Sequence, residues 1–221
     1  MTDLAQSSLG LGALLAAWLV IVAVSLGVLL RDLARANPEI VGTMRWVWIL
    51  TVAYSGPLGL WIYFWSGRRQ IPRDDIWRRS FRSVAHCYSG CGMGEIAGLV
   101  LTVGILSLST AWVAGVTFAF AYVAGFALTV GPLVQGGETF GQAVVDALWS
   151  ETASITVMEI VAFGVDLWLA GSAGMGEPLF WLSLVVSLTC GLVAAYPVNV
   201  LLIRLGVKEG MHDPRAHAGA D

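Results

Sequence analysis

Long runs of apolar residues, separated by short polar stretches, dominate the chain. The first run, Leu9–Leu30, holds about 20 mostly apolar, uncharged positions, the length that a helix needs to cross about 30 Å of hydrocarbon. It lacks the basic n-region and the short apolar core of a signal peptide, so we interpret it as a retained membrane span. Similar runs predict five more spans, at Gly42–Trp65, Val84–Leu108, Trp112–Leu133, Val144–Ala170 and Pro178–Ile203.

These six spans predict an all-α fold, a polytopic membrane helix bundle. The composition agrees, because only 12% of the residues are charged, against about 25% in an average soluble domain. We divide the chain into two N-terminal transmembrane helices (residues 1–66), a basic linker (67–83), a four-helix transmembrane core (84–203) and a tail (204–221).

The basic residues predict the orientation of the bundle. None of the chain's twelve Lys and Arg residues lies between Ser83 and Ile203. The linker carries six arginines, and the tail adds Arg204, Lys208 and Arg215. Basic residues near span ends stay on the cytoplasmic side, so six spans predict that the linker and both termini are cytoplasmic. Attraction to anionic lipid explains the linker's charge better than nucleic-acid binding does, so the expected partner is the lipid bilayer.

The start of the third span holds the densest cluster of soft and polar side chains, His86-Cys87-Tyr88-Ser89-Gly90-Cys91-Gly92-Met93-Gly94-Glu95. Residues four apart lie on one face of a helix, so Cys87, Cys91 and Glu95 form one stripe, with His86 about 100° away. Thiolate and imidazole ligands favour copper(I) or zinc, and a carboxylate widens the choice. Met93 approaches this stripe only if the helix is irregular.

Glycines form a second stripe on the neighbouring face of the same span. Gly90, Gly94 and Gly98 are spaced four apart, a pattern that lets another helix approach closely. The stripe predicts that the thiol-bearing face points into the bundle.

The fifth span supplies acidic partners. Its candidate ligands are Glu151, Met158 and Glu159, with Asp166 as a secondary candidate. A charged residue at mid-bilayer costs about 2.5–3.5 kcal/mol even on the lower scale, so these carboxylates are expected to face the bundle interior. Residues 83–203 contain no Lys or Arg. We therefore expect Glu95 and Glu159 to hold either a proton or a metal ion.

The sixth span adds two weaker candidates. Cys190 lies near its middle and Asn199 follows Pro197. Packing is the more ordinary use of a single cysteine, and hydrogen bonding between helices is the more ordinary use of a membrane asparagine.

From Ser80 onward, the chain resembles an uncharacterised family of bacterial inner-membrane proteins with a His-Cys-x-x-Gly-Cys-x-x-Gly-Asp/Glu motif at the start of a span. Three segments carry the resemblance: His86–Glu95, Ser150–Glu151 with Met158–Glu159, and Tyr196–Asn199 continuing to Lys208–Met211. The resemblance covers the last four predicted spans and implies a bacterial inner membrane. It implies no activity, because the family has none assigned.

Three hypotheses follow from the candidate residues. The first is a membrane protein that binds, and in one version transports, copper(I) or zinc between spans three and five, with protons as the coupled ion. The second is a structural or assembly subunit of a membrane complex or homo-oligomer. The third is a membrane thiol redox protein that uses Cys87 and Cys91. No phosphate-binding or hydrolase motif is present, which favours a protein that is not an enzyme.

Overall fold

The computed structural model describes residues 2–135, 137–171, 173–211 and 213–215, and over these residues the chain forms helices without strands. The helices are α1 (Thr2–Arg35), α2 (Gly42–Ser55), α3 (Pro57–Ile62), α4 (Ile76–Leu99), α5 (Thr110–Gln135), α6 (Phe140–Leu169) and α7 (Pro178–Arg204). Wider π-helical turns extend α3 over Tyr63–Gly67 and α4 over Val100–Ile105. The end of the predicted tail, residues 212 and 216–221, lies outside the described residues.

Five of the described helical segments are long and apolar enough to cross a membrane, which confirms the predicted all-α helix bundle. They are Ser8–Arg35, Ile76–Ile105, Thr110–Gly131, Phe140–Leu169 and Pro178–Arg204. Each is longer than the roughly 20 residues that a crossing requires.

The predicted second span is not a single crossing helix. Gly56, between α2 and α3, has a positive φ of 52° that separates the two helices. A Cβ atom on Gly59 would lie 2.7 Å from the carbonyl oxygen of Thr51, and one on Gly67 would overlap the ring of Trp48. If α2 and α3 formed one straight helix, Trp48 and Gly67 would lie about 28 Å apart. The helices α2 and α3 therefore fold back on each other as a hairpin.

Both ends of this hairpin lie beside the C-terminal end of α1. The Tyr63 hydroxyl donates a hydrogen bond of 2.7 Å to Asp32, and the Arg68 guanidinium lies 3.1 Å from the same carboxylate. The loop that leads into the hairpin also contacts its exit, because Asn37 Oδ1 accepts the backbone N–H of Arg69 at 2.9 Å. The described residues thus provide five candidate crossings, and the second apolar run is divided between α2 and α3, with both of its ends beside the C-terminal end of α1.

The hairpin gathers the positive charge at one end of the bundle, here called the basic end. All twelve basic residues belong to segments that meet there: Arg31, Arg35, Arg45, Arg68, Arg69, Arg73, Arg78, Arg79, Arg82, Arg204, Lys208 and Arg215. The tail joins them, because Arg82 donates to the carbonyl oxygen of Met211 at 3.2 Å.

The two ends of the described chain lie at opposite ends of the bundle. A Cβ atom on Gly12, in α1, would lie 4.0 Å from Pro178, where α7 begins far from the basic end. That both termini are cytoplasmic stays a prediction.

The arginines of the predicted linker anchor the start of α4. This helix begins at Ile76, so much of the predicted linker is helical. Asp75 caps the helix, since its side chain accepts the backbone N–H of Arg78 at 3.0 Å. Arg82 is 2% exposed and lies 2.8 Å from Asp74. These contacts fix the position of α4 at the basic end.

Small residues let α4 and α5 pack closely along their length. A Cβ atom added to Gly90 would lie 2.6 Å from the Cα atom of Gly125, and one on Gly98 would lie 2.8 Å from that of Thr117. Between them, a Cβ atom on Gly94 would overlap the α5 backbone. Glycine is thus required where the two backbones meet.

Candidate functional site

The helix α4 carries two thiols side by side in the bundle interior. Cys87 and Cys91 are 1% and 0% exposed, and their Sγ atoms lie 4.0 Å apart. One turn further along the helix, Glu95 is also buried. The four-residue spacing therefore brings thiol, thiol and carboxyl groups onto one buried face.

The helix α6 brings a second carboxyl group to this face. Glu159 lies beside the Cys91 thiol and interacts electrostatically with Cys87 and Glu95. Gly125 of α5 makes room for the thiol, because a Cβ atom there would lie 2.8 Å from Cys91 Sγ. Three helices thus form the walls around the thiol pair.

Two buried carboxyl oxygens in this region lack a hydrogen-bond partner among the described residues. They are Oε2 of Glu95 and Oε1 of Glu159, and both side chains are 5% exposed. Buried polar atoms are normally paired, and an unpaired carboxylate is costly away from water. A proton, a water molecule or a cation would satisfy these oxygens.

Glu151 has a partner that the sequence did not predict. The Lys208 ammonium, which follows α7, lies 2.7 Å from its carboxylate, and Thr129 of α5 donates to the same group at 3.3 Å. Glu151 is thus paired with an ammonium group, and its role as a metal ligand stays a prediction. In the sequence, the pair is indicated only by the family resemblance of the Lys208–Met211 segment, because Glu151 and Lys208 are far apart along the chain.

Asn199 connects this ion pair to the neighbouring helices. Its Oδ1 atom accepts hydrogen bonds from Lys208 and from Ser83, each at 3.1 Å. Its Nδ2 atom donates to Ser154 at 2.6 Å. Asn199 therefore joins α4, α6 and α7 and positions the lysine.

Other predicted residues lie outside the thiol and carboxyl cluster. Met93 is 43% exposed on the outer surface of α4. Asp166 accepts a hydrogen bond of 2.6 Å from Ser183, nearer the end opposite the basic end. Cys190 is half-buried on α7, and Met158 packs where α6 meets Gly191.

The imidazole of His86 is buried on α4 within electrostatic range of Lys208. Within the described part of the chain, no three His, Cys, Asp or Glu side chains are placed to hold a metal ion together. The predicted ligand set is therefore only partly assembled, with Cys87, Cys91 and Glu159 as its closest members.

Titratable side chains follow the interior of the four-helix core from one end to the other. From the basic end they occur in the order Lys208 with Glu151, Cys87 with Cys91, Glu95 with Glu159, and Asp166. Along α4 and α6, successive members of this series are about one to two helical turns, or roughly 6–12 Å, apart, with Glu151 about level with Cys87. The titratable groups thus lie at several depths of the bundle interior.

Two carboxyl groups outside the membrane-spanning segments have perturbed acidities. The backbone N–H of Arg78 lowers the pKa of the Asp75 carboxyl, with further lowering from neighbouring arginines. The side chain of Arg215 lowers the pKa of Asp213. Both groups stabilise the basic end in their ionised form.

Comparison with known proteins gives a family and no relative of known activity. No curated protein and no solved structure matches the chain. Residues 76–208 match the family described as a domain of unknown function, DUF4396. The matched region extends from the start of α4 to Lys208, so it contains the thiol pair, the carboxyl groups and the ion pair. The chain therefore belongs to the DUF4396 family.

Proposed function

We propose that this protein binds copper(I) or zinc within the membrane and moves it across as cargo. The observation that carries the proposal is the spacing of the two buried thiols, whose Sγ atoms lie 4.0 Å apart. Two sulfur atoms that each lie about 2.3 Å from one ion are separated by at most about 4.6 Å. The spacing thus fits two thiolates on a shared ion.

The neighbouring carboxyl group fits the same role. Glu159 lies beside Cys91, and its Oε1 atom has no hydrogen-bond partner among the described residues. A soft or borderline cation bound by Cys87 and Cys91 would gain a third ligand if the Glu159 side chain turned toward it. Glu95, one turn beyond, would receive the ion next.

Proton exchange belongs to the same proposal. An ionised carboxylate in the bundle interior requires a positive partner, and it takes up a proton when that partner leaves. Glu95 and Glu159 would therefore alternate between proton and cation, which couples the two movements.

We propose that the basic end faces the cytoplasm of a bacterial inner membrane. Basic residues near span ends are retained on the cytoplasmic side, and all twelve belong to this end. The tail would then be cytoplasmic, while the start of α1 would lie on the other side.

The hydrogen bonds of Asn199 favour a second function, assembly of helices in a membrane complex. This residue joins α4, α6 and α7 by ordinary polar contacts. Such joining does not account for the unpaired oxygens of Glu95 and Glu159. A redox role would require the sulfur atoms to close from 4.0 Å to about 2.05 Å, whereas a shared ion fits the spacing without that movement.

Metal analysis of the purified full chain tests the proposal. The protein is reconstituted in lipid under reducing conditions, loaded with copper(I) or zinc, and separated from free ions before its metal content is measured. Cys87→Ser with Cys91→Ser should abolish binding, whereas Cys190→Ser, which alters the half-buried thiol of α7, should retain it. Equal metal content in all three proteins would overturn the proposal.

A further inference from the structure

The segment after α7 turns back so that Lys208 enters the bundle. Its residues 205–211 are called the Lys208 segment. Gly206 and Gly210 have positive φ angles of 70° and 78° at its two ends. Between them, the backbone N–H groups of Val207 and Lys208 donate to the carbonyl oxygen of Leu202. This turn directs the lysine side chain toward the interior, where only 9% of it is exposed.

The Lys208 ammonium occupies a polar site built from several helices. It donates hydrogen bonds to Glu151 and Asn199, at 2.7 and 3.1 Å. Glu151 also accepts a hydrogen bond from Thr129, and Asn199 accepts one from Ser83. These oxygen atoms surround a positive charge that belongs to the protein itself.

The ion pair lies one helical turn nearer the basic end than Cys91, about level with Cys87. Glu151 is one helical turn from Ile155, whose side chain contacts the same glycine, Gly125, as Cys91. Glu159 lies eight residues beyond Glu151, or about 12 Å deeper along α6. An ion that approaches from the basic end therefore meets Lys208, which also bonds Asn199, beside Cys87 and before Cys91.

Beyond the bonds of Lys208, the Lys208 segment contacts α4 through two arginines. Gly210 packs against the side chain of Arg79, and Arg82 donates to the carbonyl oxygen of Met211 at 3.2 Å. Three residues from Glu209 to Met211 have no regular secondary structure. The lysine can therefore withdraw by movement of a short segment, while the four long helices keep their packing.

We infer that Lys208 is a tethered cation that closes the thiol pair from the basic end. Its ammonium neutralises Glu151 and fills the space between the helices at that level. A cation that binds Glu151 replaces the ammonium, and the Lys208 segment then moves aside. The role of this closure in metal movement rests on the proposed function, although the closure itself does not.

Labelling of a single buried cysteine tests the closure without any metal. In full-length protein that carries Cys91→Ser and Cys190→Ala, Cys87 is the one remaining thiol. The purified protein, in detergent, is treated with a water-soluble, positively charged methanethiosulfonate reagent. Lys208→Gln should raise the labelling rate of Cys87 at least tenfold, because it removes the charge that holds the segment on Glu151. Lys208→Arg retains a cation and should keep the slow rate within twofold.

A second single-thiol protein separates opening of this end from general loosening. Here Cys87→Ser and Cys91→Ser leave Cys190, half-buried on α7, as the reporter. Its labelling rate should be the same with Lys208 and with Lys208→Gln. The inference is overturned if Cys87 labels equally slowly in the Gln variant, if the Arg variant labels as fast as the Gln variant, or if Cys190 accelerates in parallel. Each result is independent of the metal analysis, so failure of metal binding leaves this test intact.

Discussion

The ring of Trp48 lies against the Cα atom of Gly67, with no room for a Cβ atom between them. Trp48 belongs to α2, and Gly67 ends the π-helical turn after α3. Their contact is possible only because the two helices fold back at Gly56. We therefore expect the loops before and after the hairpin to share one side of the membrane.

Cysteine labelling in intact cells will check this topology. In a chain without native cysteines, Pro38→Cys and Arg73→Cys place exposed thiols in the loops before and after the hairpin, and Gly176→Cys places one in the loop before α7. An impermeant maleimide added outside should label only the position at 176. Labelling at 38 but not at 73 would mean that α2 and α3 form a complete crossing.

The α4–α5 contact predicts a strong effect of a single methyl group. Gly94→Ala should destabilise the protein by about 1–3 kcal/mol, because the added Cβ atom meets the α5 backbone and the helices must separate. Gly164→Ala is the matched control, since nothing lies within 4 Å of its Cβ position on α6. It should be neutral or stabilising, because alanine favours a helix by about 1 kcal/mol relative to glycine. Thermal unfolding in detergent measures both, and equal melting temperatures would contradict the packing.

Substitutions of Lys208 and Glu151 should have non-additive effects on the free energy of unfolding. Lys208→Met leaves a buried carboxylate without its partner, so it should cost about 3–5 kcal/mol. Addition of Glu151→Gln removes the stranded charge and should recover a large part of that loss. A double-mutant cycle in detergent measures the coupling. A coupling near zero would mean that the two side chains are not an ion pair in the folded protein.

The Asp75 side chain that caps α4 should make the stability of the folded protein fall at acidic pH. The Arg78 N–H and nearby arginines lower the pKa of Asp75 in the folded protein. Its contribution to stability is therefore complete above the unfolded pKa of about 3.9 and is lost as the pH falls through the lower folded value. Asp75→Asn retains a capping oxygen and should flatten this acid limb of the melting temperature, measured between pH 3 and pH 7. An unchanged slope would assign the acid sensitivity to other carboxylates.

The sequence predicted the elements that depend on local patterns and missed those that depend on distant contacts. Apolar runs predicted the long helices, and four-residue spacing placed Cys87 and Cys91 on one face of α4. The hairpin was missed because its apolar length fits a crossing, and the contact that closes it joins Trp48 to Gly67. The partner of Glu151 was missed because Lys208 lies beyond the last span and reaches back into the bundle.

Removal of the Glu159 carboxylate predicts a loss of metal affinity with the fold intact. Glu159→Gln preserves the size of a side chain whose Oε1 atom has no hydrogen-bond partner among the described residues, so unfolding should change little. It removes the carboxyl group beside Cys91, which can ionise when a cation binds, and the loss in copper(I) or zinc affinity should reach about tenfold or more. Asp146→Asn is the matched control, because this acid lies on the same helix and pairs with Gln142 outside the thiol cluster. Competition with a chelator of known affinity measures both variants. If Glu159→Gln and Asp146→Asn bind metal as tightly as the unsubstituted protein, Glu159 is not a ligand and the thiols hold the ion without it.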